Sequence, residues 1–167
     1  EELCTQYATR DIMHVRLSYD SFASSRPLES LLEKYFDERL LKEVAAAYAQ
    51  GRRLYVGTTD LDAQRLIIWD MGKIASAGDE RALRLFRKII LASASIPLVF
   101  PPVFMQVEVD NKIYDEMHVD GGVVKQVFFL HDIALGLEQA VRQKGLDMSK
   151  LKYKIYVIRN GYVDPIW

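Results

Sequence analysis

The run Ile89 to Met105, IILASASIPLVFPPVFM, carries no charged residue and holds three of the five prolines, Pro97, Pro101 and Pro102. It falls short of the roughly 20 apolar residues that a membrane-spanning helix needs. Proline removes a backbone donor and disfavours helix in the residue before it, so a helix entering this run must end before Pro97. The chain is thereby committed to a helix, then a proline-rich loop in apolar surroundings, then an extended segment. The reading is of a soluble domain.

The flanking segments alternate in the same way. Pro27 to Gln50 has helical spacing at Leu31, Leu32, Tyr35 and Phe36, with a break near Asp37 and with Gly51 just past the end. Arg53–Thr58 and Arg65–Asp70 read as two strands around a polar turn at Asp60–Gln64. Asp79 can cap a helix whose apolar face is Ala82, Leu83, Phe86, Ile89 and Ile90. Val103–Val109 and Lys112–Val119 form a hairpin pair turning at Asp110-Asn111. A helix from about Leu130 to Lys144, closed by Gly145, and a strand over Lys152–Ile158 complete the pattern. The alternation predicts an α/β domain. With 167 residues, half of them hydrophobic, there is material for one sizeable core.

Composition excludes several classes. The 22 basic and 23 acidic residues nearly cancel, and no block of like charge marks a nucleic-acid surface or a polybasic anchor. The single cysteine, Cys4, rules out an internal disulfide framework. The chain opens on Glu1-Glu2-Leu3 without an initiating methionine and stops at Asp164-Pro165-Ile166-Trp167, so it reads as a piece of a longer protein.

The chemistry-bearing candidate is HVDGG, residues 118 to 122. Two glycines weaken a strand, and they mark a place where the backbone turns or approaches something closely. Asp120 is then either a turn former bonding its own backbone or a carboxylate held out for chemistry. His118 and Asp120, two apart on a strand, share a face and could ligate a metal with Asp115, Glu116 or His131, although polar neighbours on a strand are the commoner case. His131-Asp132 resembles the His-Asp pair of metal-dependent phosphohydrolases, but the chain has only three histidines and Asp132 suits a helix start. Asp60-Leu61-Asp62 resembles the Asp-x-Asp of sugar transferases and reads as a turn between strands. Ser93, Ser95 and Ser76 lack a glycine elbow and read as packing or loop residues. His14 has no nameable partner.

The run ASASIPLVFPPV (residues 92 to 103), a strand pair, and then VDGGVVKQ (residues 119 to 126) together resemble the second half of a patatin-like phospholipase domain. The resemblance implies a three-layer α/β sandwich, of which residues 1–167 form a single partial domain. It also implies a lipid acyl hydrolase working through a Ser–Asp dyad without histidine or cofactor. By motif position Asp120 becomes the general base, and Gly121 and Gly122 allow its backbone to turn and approach the nucleophile loop. The nucleophile of that family sits in a Gly-x-Ser-x-Gly elbow after a glycine-rich oxyanion loop, and neither occurs in these residues. The expectation is therefore that the serine lies in an upstream half packed against this one. A parallel sheet covered on both faces would have an apolar edge bared by its removal. Phe100 and Phe104 are candidate walls of an acyl pocket. The implied partners are a lipid or ester substrate and, peripherally, a membrane surface, with no nucleic acid. The rival readings are a lipid- or protein-binding module that keeps the fold without catalysis, and a metal-dependent hydrolase built on His118 and Asp120.

Overall fold

The computed structural model describes residues 14–15, 23–124 and 145. The chain divides into two compact units, Glu1–Phe128 and Phe129–Trp167, and nearly all the described residues belong to the first. Cys4, Phe128, Phe129, His131, Asp132, the expected 130–144 helix and the expected 152–158 strand lie outside the described residues.

A short pair, β1 (His14–Val15) and β2 (Ala23–Ser24), precedes two helices, α1 (Arg26–Tyr35) and α2 (Glu38–Ala49). Pro27 sits in the first turn of α1, where its missing N–H costs nothing. The break near Asp37 has a local cause: the Asp37 carboxylate accepts the Leu40 N–H at 2.9 Å and so caps α2. The last carbonyls of α1 have no helical partners, and Arg87 supplies them from another helix, donating to Phe36 O at 2.7 Å and Glu33 O at 3.2 Å.

Strands β3 (Tyr55–Asp60) and β4 (Arg65–Asp70) follow, then a short helix α3 (Met71–Ala75), which the sequence pattern did not reveal. Asp70 ends β4 and also caps α3 through Lys73 N–H. Helix α4 (Glu80–Ser93) starts at Asp79, whose carboxylate accepts the Ala82 N–H at 2.7 Å, and it ends before Pro97. Its buried face holds Ala82, Leu83, Phe86, Ile89, Leu91 and Ala92, while Ile90 is only half-buried. This face joins Met71, Ala75, Leu32 and Leu41, with Val103 and Met105, in one core. Among the described residues no helix is long and apolar enough to cross a membrane.

Strands β5 (Val103–Val109) and β6 (Lys112–Asp120) form the expected hairpin. Its turn residues Asp110 and Asn111 have φ of 51° and 61°, the left-handed pair that matches the twist of a tight hairpin. The four-stranded sheet runs in the order β4-β3-β6-β5, and every pairing in it is antiparallel. The expected parallel sheet is absent from the described residues: β3–β4 and β5–β6 are joined by connections too short for the crossover that parallel neighbours need, and β3–β6, joined by a long connection, docks antiparallel as well. β3 begins later than expected and runs on through Asp60, and β6 runs through Asp120.

Removing the α4 cap tests this account of the helix start. Asp79→Ala should lower stability by about 1 kcal/mol, and Asp79→Asn, which keeps an acceptor oxygen, by much less. Denaturant unfolding of the two variants checks the order.

Candidate functional site

The motif lies where β6 leaves the centre of the sheet. Three pairs tie its end to β3: Thr58 with Asp120, Thr59 with Val119 and Asp60 with His118. Beyond the ladder, Leu61 N–H donates to Met117 O at 2.8 Å, and Met117 N–H donates to the Asp62 carboxylate at 2.7 Å. The Asp60-Leu61-Asp62 segment is thus the turn expected of it, and it also clamps β6.

Every backbone polar group of Asp120 is held. Its N–H donates to Ser95 O at 2.9 Å, and its carbonyl accepts from Thr59 Oγ1 at 3.0 Å. The carboxylate Oδ1 accepts the Gly122 N–H at 2.8 Å, the local bond of a turn former. No described residue hydrogen-bonds Oδ2. Asp120 is half-buried and starts a 3₁₀ turn over Gly121–Val123.

The two glycines do different things. A Cβ on Gly121 would lie 2.7 Å from Gly57 O and 2.8 Å from Gly57 C, so this residue is glycine because it rests on the β3 backbone. Gly57, a glycine inside a strand, is the other half of that approach. Gly122 is exposed, and a Cβ there would meet only the Asp120 side chain, at 3.3 Å. The closeness expected of both glycines therefore belongs to Gly121.

His118 is wholly buried and already engaged. Trp69 Nε1–H donates to Thr58 Oγ1 at 2.8 Å, and Thr58 Oγ1 lies 2.9 Å from His118 Nδ1. The Glu116 carboxylate can only accept, so the 3.3 Å contact of its Oε2 with His118 Nε2 assigns the Nε2–H tautomer. In that neutral ring Nδ1 is the acceptor, so Thr58 Oγ1 donates to it while accepting from the indole. Both ring nitrogens are thus occupied by protein groups. No group of three metal-ligating side chains occurs among the described residues.

Asp60 is also wholly buried. Its Oδ1 accepts from Asp62 N and Ala63 N at 3.0 and 3.1 Å, while Oδ2 has no hydrogen-bond partner. Arg65 Nε stands 3.7 Å from Oδ2, too far for a hydrogen bond but close enough to offset its charge.

The remaining candidates separate. Ser95 is buried, and its hydroxyl is spent on Leu91 O at 2.9 Å; Ser76 Oγ donates to Gly72 O at 2.8 Å. Phe100 is buried, whereas Phe104 is 53 % exposed on β5. In the two segments joined by the Asp120 N–H to Ser95 O bond, the exposed apolar side chains are Ile96, Leu98, Val123 and Val124. Leu98 is 73 % exposed with φ of 71°, a costly backbone for a branched residue, held between Pro97 and Pro101. Sequence reading passed over Thr58, Thr59 and Trp69. The available signal was two threonines ending an apolar strand, where buried hydroxyls need partners.

Gly121→Ala should destabilise the fold by about 1–3 kcal/mol, because the added carbon meets backbone that cannot yield. Gly122→Ala should stay within about 0.5 kcal/mol of wild type. Thermal melting of the pair reads the difference; equal losses would show that the Gly57 approach does not constrain the turn.

A comparison with family models matches residues 7–131 to the patatin-like phospholipase domain. No curated protein matches the chain. The matched span includes the proline-rich loop, the β5–β6 hairpin and Asp120-Gly121-Gly122. The chain belongs to the patatin-like phospholipase family, whose members are hydrolases of lipids.

Proposed function

We propose that Asp120 is the general base of a Ser–Asp dyad, and that the serine and its oxyanion loop lie outside residues 1–167 of the working enzyme. The observation that carries the reading is the state of the Asp120 carboxylate. Its backbone is held at both ends and Oδ1 is fixed by Gly122 N–H, while Oδ2 is committed to no described residue. A base needs that combination of a fixed orientation and one uncommitted oxygen. The exposed apolar groups Ile96, Leu98, Val123 and Val124 add support, since they are the kind of surface that a nucleophile-bearing half and an acyl chain would cover.

In this mechanism Asp120 accepts the serine proton as the serine oxygen attacks the ester carbonyl. The tetrahedral intermediate collapses, the leaving alcohol takes the proton, and an acyl-serine remains. Asp120 then deprotonates a water that attacks the acyl carbon. The fatty acid departs and the proton returns to the serine oxygen. Phe100 stays a candidate for the acyl wall because it is buried in the loop that precedes β5. Phe104 would serve only where another segment covers it. The active protein would meet its lipid at a membrane surface, with residues 1–167 packed against the half that carries the serine.

The rival reading, a binding module without catalysis, draws on the Gly122–Oδ1 bond, which a mere turn former would also make. Asp120→Asn separates the two. The amide keeps an oxygen for Gly122 N–H, so the melting temperature should hold. Ester hydrolysis by the full-length protein should fall by about 10² to 10⁴-fold. Retention of most of the rate would leave Asp120 a turn former. Residues 1–167 alone should show no turnover of short-chain activated esters; chelator-resistant turnover by that piece would mean that a serine within it is the nucleophile.

A further inference from the structure

We propose that Thr59 is a positioning residue for Asp120, acting through the Asp120 carbonyl; the inference rests on the reading of Asp120 as the base. Among the described residues, Thr59 Oγ1 is the one side-chain atom that hydrogen-bonds the Asp120 backbone, donating to its carbonyl at 3.0 Å. The Asp120 N–H is held by the Ser95 carbonyl, which no side-chain substitution removes.

The carbonyl matters because of what lies beyond it. The β3–β6 ladder ends at the Thr58–Asp120 pair, and the chain turns at once into the 3₁₀ segment. A terminal strand residue with no further ladder bond can rotate its last peptide plane. Fixing the Asp120 carbonyl fixes the peptide that joins it to Gly121. That plane in turn sets Gly121 against the Gly57 backbone and aims the Gly122 N–H at Oδ1. Thr59 therefore controls the carboxylate from one residue's distance without touching it.

Packing alone does not call for the hydroxyl. Thr59 is almost wholly buried in a β-strand, where valine has the same branched shape and no polar group to desolvate. A buried hydroxyl kept at such a place marks the bond it makes.

The test uses the full-length protein and four variants in ester hydrolysis and thermal melting. Thr59→Val should lower kcat by about 10- to 100-fold with KM unchanged, since misplacing a catalytic group spoils the reaction more than substrate binding. Thr59→Ser, which restores the donor, should recover most of kcat. Asp79→Ala, far along the chain in the α4 cap, should lower the melting temperature without changing kcat, so a rate loss from lower stability alone is excluded. If Thr59→Val does not fold, Thr59→Cys, of similar size and a poor donor, is compared with Thr59→Ser in the same way. Wild-type kcat in a folded Val or Cys variant, or failure of Ser to restore the rate, overturns the inference while the dyad reading stands if Asp120→Asn is inactive. An active Asp120→Asn removes the dyad reading and this inference with it.

Discussion

Three residue pairs between β3 and β6 decide where the motif can be. Side chains alternate across a sheet, so a slip of one residue would send His118 and Val119 to each other's face. Apolar burial alone would penalise that slip only modestly, because both faces of these central strands are covered at this point: Thr58, Thr59, Asp60, His118 and Val119 are all buried. The polar groups set the register instead. Thr58, His118 and Trp69 satisfy one another only in this alignment, and Asp62 reaches Met117 N–H only in this alignment. A buried donor or acceptor without a partner costs about 1–3 kcal/mol, and a slipped register would leave several.

The two adjacent threonines divide the work by the pleat. Thr58 joins the side-chain chain of His118 and Trp69, whereas Thr59 bonds the Asp120 main chain. Gly57, just before them, offers bare backbone to Gly121. One short strand end thereby fixes the register of β6, the entry to its turn and the direction of its last carbonyl. From the opposite side the loop after α4 brings the Ser95 carbonyl to the Asp120 N–H. Helix α4 is anchored in the core by Phe86 and Ile89, so the motif is tied to the most buried part of the fold through a single loop.

That loop carries the opposite character. Between Ala94 and Pro102 the chain exposes Ile96 and Leu98 and holds Leu98 in a left-handed backbone. Proline on either side limits the alternatives, so the cost is kept local. The family hydrolyses lipids, and exposed apolar side chains in this loop suit apolar ligands.

Much of the fold was legible because its signals are local. Asp37 and Asp79 cap helices within their own next turn, Asp110-Asn111 close a hairpin between neighbouring strands, and Pro97 limits α4 by excluded volume. The two motifs in order pointed to the family, and Asp120 was visible as the residue before two glycines. Partners distant in the chain were not legible. Thr58 meets His118, Thr59 meets Asp120, Arg87 meets Phe36 and Gly57 meets Gly121 only when the strands and helices have docked. The antiparallel pairing of β3 with β6 and the differing burial of Phe100 and Phe104 were likewise decided by docking. Local chemistry chooses the elements; satisfying buried polar groups chooses how they meet, and those groups are matched in space rather than along the sequence.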